Sequence, residues 1–121
     1  MATSSETRRR RRGLDLTAEV RNFVRSHPGG WNHGDWLAFV SHLEQHGYDV
    51  SDPERIGVEL ERARLAEVLQ ALGINGLGPQ RRQALIERFG TLWELRHATA
   101  ERMAEVRGIN LELARRIRSA L

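Results

Sequence analysis

The chain contains no cysteine, which removes disulfide frameworks, thiolate zinc sites and a thiol nucleophile together. It contains no lysine either: all nineteen basic side chains are arginine. Genomic base composition accounts for such a bias as readily as function does, so little rests on it. Aromatic residues make up 6% of the sequence against 40% apolar residues overall, a balance that suits a small helical globule. No apolar run approaches the ~20 residues that would cross a bilayer. The first thirteen residues are charged but lack an apolar segment, so they do not read as a secretory signal. A cytoplasmic location is expected, associated with the nucleoid if the source is bacterial, and no membrane partner.

A length of 121 residues suits one domain or two very small helical units. Charge is more informative divided than summed. Residues 1–13 hold five arginines and one glutamate, residues 14–72 five arginines against ten carboxylates, and residues 73–121 nine arginines against five glutamates. The segments carry +4, −5 and +4, in agreement with the overall +3. Such asymmetry points to an anionic partner for the C-terminal part and to a different role for the acidic middle.

Residues 1–13 show no hydrophobic periodicity and end in the run Arg8 to Arg12. They read as a disordered basic arm, which either solubilises the chain or adds non-specific phosphate contacts. From Leu14 the pattern turns helical. Leu16, Val20, Phe23 and Val24 predict a helix over 17–26 with Thr17 as its N-cap, broken by His27-Pro28-Gly29-Gly30. A second helix from Asn32 or Gly34 carries Trp36, Leu37, Phe39, Val40 and Leu43, and Gly47 closes it; Trp31 anchors the turn before it. Ser51-Asp52-Pro53-Glu54 has capping-box spacing from Ser51 to Glu54, so a third helix is predicted over 53–72, weakened at Gly57.

Three helices with a turn invite a helix-turn-helix reading, and the charges oppose it. The recognition helix would carry Glu54, Glu59, Glu61 and Glu67 against Arg55, Arg62 and Arg64, a poor surface for phosphates. A packing, regulatory or partner-binding module fits residues 14–64 better, and a protein partner is expected to use the acidic region 14–72. His42 and His46 share an i, i+4 face, but nothing fixes His33 or Asp35 beside them. Solvated or capping roles are therefore expected, and no metal site.

The central stretch is Leu72 to Phe89. Gly76 and Gly78 bracket Leu77, allowing a sharp turn and close backbone approach to a ligand. Pro79 suits a first helical position. Arg81 and Arg82 follow in the first turn, beside free amides and the positive dipole end, where they make sense if an anion sits between them. A weak repeat follows at an offset of 32 residues, from Gly76 to Gly108. The second unit has a helix over Thr99–Val106, the turn Arg107-Gly108-Ile109-Asn110, and a helix from Leu111. Gly90 ends the preceding helix, and Thr91 to Glu94 caps a short connector carrying Leu92, Trp93 and Leu95. Ala84, Leu85, Phe89, Leu92, Trp93, Leu95, Met103, Val106, Ile109, Leu113 and Ile117 read as core, with a base-stacking role as the other reading of Trp93. Arg115, Arg116 and Arg118 read equally as a binding or a solvated face.

The run Ile74-Asn75-Gly76-Leu77-Gly78-Pro79-Gln80-Arg81-Arg82-Gln83-Ala84-Leu85 resembles the first hairpin of tandem helix-hairpin-helix domains, above all that at the C-terminus of the bacterial excinuclease subunit UvrC. Ala98 to Glu101, Val106 to Asn110 and Leu113 to Ile117 are similar to the second hairpin of that family. The resemblance covers residues 65–121. It implies an all-α fold in which a small N-terminal three-helix module over 14–64 joins a tandem helix-hairpin-helix domain over 65–121. It also implies DNA binding from the minor-groove side with little base reading, through the hairpin amides of Gly76, Leu77 and Gly78 and of Gly108, Ile109 and Asn110. Gln80, Arg81, Arg82 and Arg115 complete the expected DNA-binding set. Asn110 and Leu111 depart from the glycine and proline of the pattern, and Asn110 is expected to tolerate a left-handed backbone there. Nuclease chemistry in the resembled family lies in separate domains for which this chain has no room, and its carboxylates do not gather. A non-catalytic DNA-binding protein without cofactors is expected. The alternative is a protein-protein adaptor that uses the same domain for dimerisation or partner docking.

Overall fold

The computed structural model describes residues 16–121, and the basic arm lies outside them. Seven helices and no strand occur among the described residues: α1 over 16–26, α2 His33–Gln45, α3 Pro53–Leu72, α4 Pro79–Phe89, α5 Leu92–His97, α6 Ala100–Met103 and α7 Leu111–Ala120. The all-α expectation holds. Two compact units form, Met1–Leu60 and Glu61–Leu121, with the boundary inside α3.

The first unit is built on the apolar stripe of α1. Val20, Phe23 and Val24, at helical spacing, are buried together with Phe39, Leu43, Tyr48, Ile56 and Leu60. The Phe23 ring lies 4.4 Å from Phe39 and meets Trp31 edge-on at 5.2 Å, which is how Trp31 anchors the turn. The helix is already formed at Leu16, so Thr17 lies inside it and is not its cap. A true capping box starts α2: the Asn32 side chain accepts the Asp35 amide at 2.8 Å, and the Asp35 carboxylate accepts the Asn32 amide at 3.1 Å. At its end Gly47 takes φ +84°, Tyr48 N–H reaches Leu43 O, and Gly47 N–H reaches Glu44 O, which is a Schellman closure. The His42 and His46 rings lie 4.2 Å apart, and His42 Nε2 is 2.9 Å from a Glu19 carboxylate oxygen, linking α2 to α1.

The third helix occupies the expected span and runs unbroken through Gly57, but its cap is Asp52 rather than Ser51. Asp52 Oδ1 accepts the Arg55 amide at 3.4 Å. Proline explains the register: Pro53 takes the first helical position, which leaves residue 52 as the cap.

The second unit buries one continuous cluster: Leu65 and Leu69 from α3, Leu77, Leu85, Ile86 and Phe89 around α4, Leu92 and Leu95 from α5, Met103, Val106 and Ile109, and Leu113, Ala114 and Ile117 from α7. The helix expected over Thr99–Val106 contracts to α6, capped by Thr99 Oγ1 on the Arg102 amide at 3.1 Å, with turns through Val106. Arg118 Nη1 donates to Arg96 O at 3.1 Å and Ala98 O at 2.8 Å, satisfying carbonyls left open where α5 ends.

Trp93 is not core. It is 62% exposed and stacks on His97 with ring centroids 4.1 Å apart. In a six-residue helix only the i, i+3 pair Leu92 and Leu95 can face inward, and Trp93 points about 100° away from Leu92. Leu85→Ala should therefore cost about 2–5 kcal/mol in urea denaturation, whereas Trp93→Ala should shift stability by less than about 1 kcal/mol. Equal costs would show that the connector packs differently.

Candidate nucleic-acid interface

The first hairpin is a four-residue turn in which the Leu77 amide donates to Ile74 O at 3.1 Å. Its third residue, Gly76, has φ +89°, a conformation that glycine adopts without penalty. The Leu77 side chain, 4% exposed, is buried in the core. Leu77 is thus an anchor, and its amide is not free for a ligand, contrary to expectation. Gly78 is the N-cap of α4 with extended backbone and no side-chain cap bond, and Pro79 follows at the first position. The amides of Gly76, Gly78, Gln80 and Arg81 donate no hydrogen bond among the described residues. Four donors at a helix N-terminus without acceptors make an anion-binding edge.

Three arginines hold the other edge of the turn. Arg116 Nη1 donates to Asn75 O at 3.0 Å, Arg81 Nη1 to Gly76 O at 2.6 Å, and Arg82 Nη1 to Leu77 O at 3.1 Å. Arg81 and Arg82 are therefore first of all supports of the hairpin, because carbonyls so near carry the negative charge that their guanidinium groups seek. Each guanidinium has five N–H groups, so donors remain for an external anion. Arg116 comes from α7, forty-one residues away. No local signal could have singled it out over Arg115, which is exposed on the open face of α7 beside Glu112 and Ser119.

The second hairpin repeats the backbone. The Ile109 amide donates to Val106 O at 3.0 Å, Gly108 has φ +88°, and Ile109 is 4% exposed. Like Leu77, Ile109 is a core anchor whose amide is already used. The side chains differ. Asn110 is the N-cap of α7 with φ −86° and ψ 171°, so it needs no left-handed backbone; its Oδ1 accepts the Leu113 amide at 2.8 Å. Positive φ falls on Gly108 instead. The two hairpins lie side by side: a Cβ on Gly108 would sit 3.4 Å from Cγ and Nε of Arg81.

Residues 67–121 match the helix-hairpin-helix motif family. The chain is 42% identical over 81 residues to the UvrABC system protein C of Aliivibrio fischeri, covering 66% of this chain and 13% of that protein. It is 41% identical over 81 residues to its counterpart in Vibrio cholerae, and 48% identical over 48 residues to that of Symbiobacterium thermophilum. The chain thus spans about an eighth of the length of the first of these relatives. Covering 66% of 121 residues, the aligned stretch reaches back at least into α2, farther than the hairpin motifs alone extend. No solved structure matches the chain.

The backbone angles set the cost of replacing each glycine. Gly76→Ala forces a Cβ onto φ +89° and should cost about 1–2 kcal/mol. Gly78→Ala, with an ordinary φ of −79° and open space around a Cβ, should cost less than about 1 kcal/mol in thermal unfolding. A reversed order would mean that the turn is built on Gly78.

Proposed function

We propose that the UvrC-like helix-hairpin-helix domain of residues 67–121 binds DNA through the phosphate backbone, without reading sequence and without catalysing a reaction, as an accessory in repair or recombination. The observation that carries this reading is the open amide edge at Gly76, Gly78, Gln80 and Arg81, beside guanidinium groups with donors to spare. Backbone amides and arginines recognise phosphate oxygens alike on every base, so they position a duplex without specifying it. The similarity to UvrABC system protein C over the same hairpins supports the same class of ligand.

Residues 14–72 carry twice as many carboxylates as arginines, a balance that repels phosphate. A protein partner is the occupant proposed for that region. The adaptor role for the hairpin domain itself stands second, on the exposed Trp93 stacked against His97. Self-association that rises with concentration and is lost in Trp93→Ala would favour it. No helix among the described residues is long and apolar enough to cross a membrane.

A salt titration of duplex binding tests the main reading. Arg81→Ala with Arg82→Ala should lower affinity equally across unrelated sequences and reduce the salt slope by up to about two units. Removal of residues 1–13 should take away non-specific affinity while leaving binding that still depends on these two arginines. A loss that depends on sequence would show base reading, and binding confined to the arm would remove the hairpins from the interface.

A further inference from the structure

The first unit holds a groove that DNA binding by the hairpins leaves unused. It runs between α1 and α2, encloses about 340 Å³, and is lined by Glu19, Phe23, Ser26 and His27 on one side and by Asp35 and Phe39 on the other. Its floor is apolar: the Phe23 and Phe39 rings are buried, with centroids 4.4 Å apart. Its rim has largely spent its donors. The Ser26 hydroxyl donates to Phe23 O at 2.9 Å. His27 Nδ1 lies 2.8 Å from the same carbonyl, which can only accept, so the proton is on Nδ1 and Nε2 of the neutral ring is left as an acceptor. His42 Nε2 likewise gives its proton to Glu19 at 2.9 Å. Glu19 and Asp35 only accept, and each carboxylate has acceptor sites beyond the one its partner fills. Apart from the Asn22 amide, the polar lining therefore offers acceptors and negative charge.

An aromatic floor under an acceptor-rich, anionic rim fits a cation with many N–H groups, and it repels phosphate. Arginine meets both demands. Its planar guanidinium packs flat on an aromatic face and carries five donors, whereas the ammonium of lysine is a strongly hydrated point charge. Spacing narrows the fit further. Asp35 and His42, the residue that holds Glu19, are seven residues apart on α2, or about 10 Å along its axis. One guanidinium cannot reach both ends. Side chains two residues apart in an extended chain share a face at about 6.5–7 Å, and arginine stems are long enough to close the difference. We propose that the groove between α1 and α2 docks an extended segment of a partner protein bearing two arginines in Arg-X-Arg spacing, held by Glu19 and Asp35 over Phe23 and Phe39. The proposal rests on the protein-partner reading of residues 14–72 and gives that partner its chemistry.

The test is an amide chemical-shift titration of the full chain at moderate salt with the acetylated, amidated peptide Gly-Arg-Ser-Arg-Gly. Saturable shifts should appear at Asn22, Ser26 and Ala38, which line the groove, and the lysine counterpart should bind at least about threefold more weakly. Glu19→Gln with Asp35→Asn keeps the side-chain shapes and the acceptors for His42 and Asn32, so this variant should fold, as unchanged melting would verify. It should weaken the arginine peptide about tenfold or more. Glu54→Gln with Glu59→Gln removes two exposed carboxylates of α3 and should change binding by less than about threefold, their longer-range attraction being largely screened. Equal losses in the two double variants would overturn the groove while upholding attraction of a basic partner by the acidic region. No binding of either peptide, with or without residues 1–13, would overturn the groove and a basic partner together. Binding that appears only once residues 1–13 are removed would assign the groove to the chain's own arginine run in place of a partner.

Discussion

A trans peptide points its carbonyl and its amide in opposite directions, so whatever holds one edge of a turn aims the other. In this chain three successive carbonyls, of Asn75, Gly76 and Leu77, each accept a hydrogen bond from a different arginine. The amides of Gly76 and Gly78, which share peptide planes with the carbonyls of Asn75 and Leu77, are turned the other way and left without acceptors. The amide between them, on Leu77, closes the turn onto Ile74 O while its side chain is buried in the core. Aim, closure and anchorage thus fall to three adjacent residues. The open start of α4 extends that edge into its first turn.

Energetically, the turn is held by parts that do not touch a ligand. Leu77 and Ile109 pin the two hairpins to one apolar cluster drawn from five helices, and Arg81 and Arg116 tie the hairpins to each other. An uncapped helix start at Gly78 costs only a few tenths of a kcal/mol relative to a good cap. That small cost is consistent with a site kept open for an anion, since Asn110 shows that the same fold accepts a side-chain cap one repeat later. The exposed arginine bonds are worth little to overall stability. Their effect is on direction, and direction is what an amide site needs in order to meet a phosphate without rearranging.

Much of this was legible in the sequence where the governing rule is local. Pro53 and Gly73 bound α3, and Pro79 with Gly90 bounds α4, because proline and glycine act on their own backbone. The glycines of both turns and the 32-residue repeat were equally visible. Caps slipped where two acceptors competed: Ser51 has the right spacing to Glu54, but the ring of Pro53 fixes the first helical position and hands the role to Asp52. Trp93 was misplaced because hydrophobicity says that a residue prefers burial, not that a two-turn helix has a side to bury it on. Asn110 was assigned a left-handed backbone that Gly108 in fact supplies. Arg116 was beyond reach, since its partner lies forty-one residues back and only the packing of α7 beside the first hairpin brings them together.

The most direct measurement is a backbone amide chemical-shift titration with a short duplex at moderate salt. The largest shifts should fall on the open amides of the hairpins, those of Gly76, Gly78, Gln80 and Arg81 among them, with the residues around Trp93 hardly moving. Shifts centred on the first unit or on Trp93, with the amides of Gly76 and Gly78 unmoved, would contradict a phosphate grip at the first hairpin.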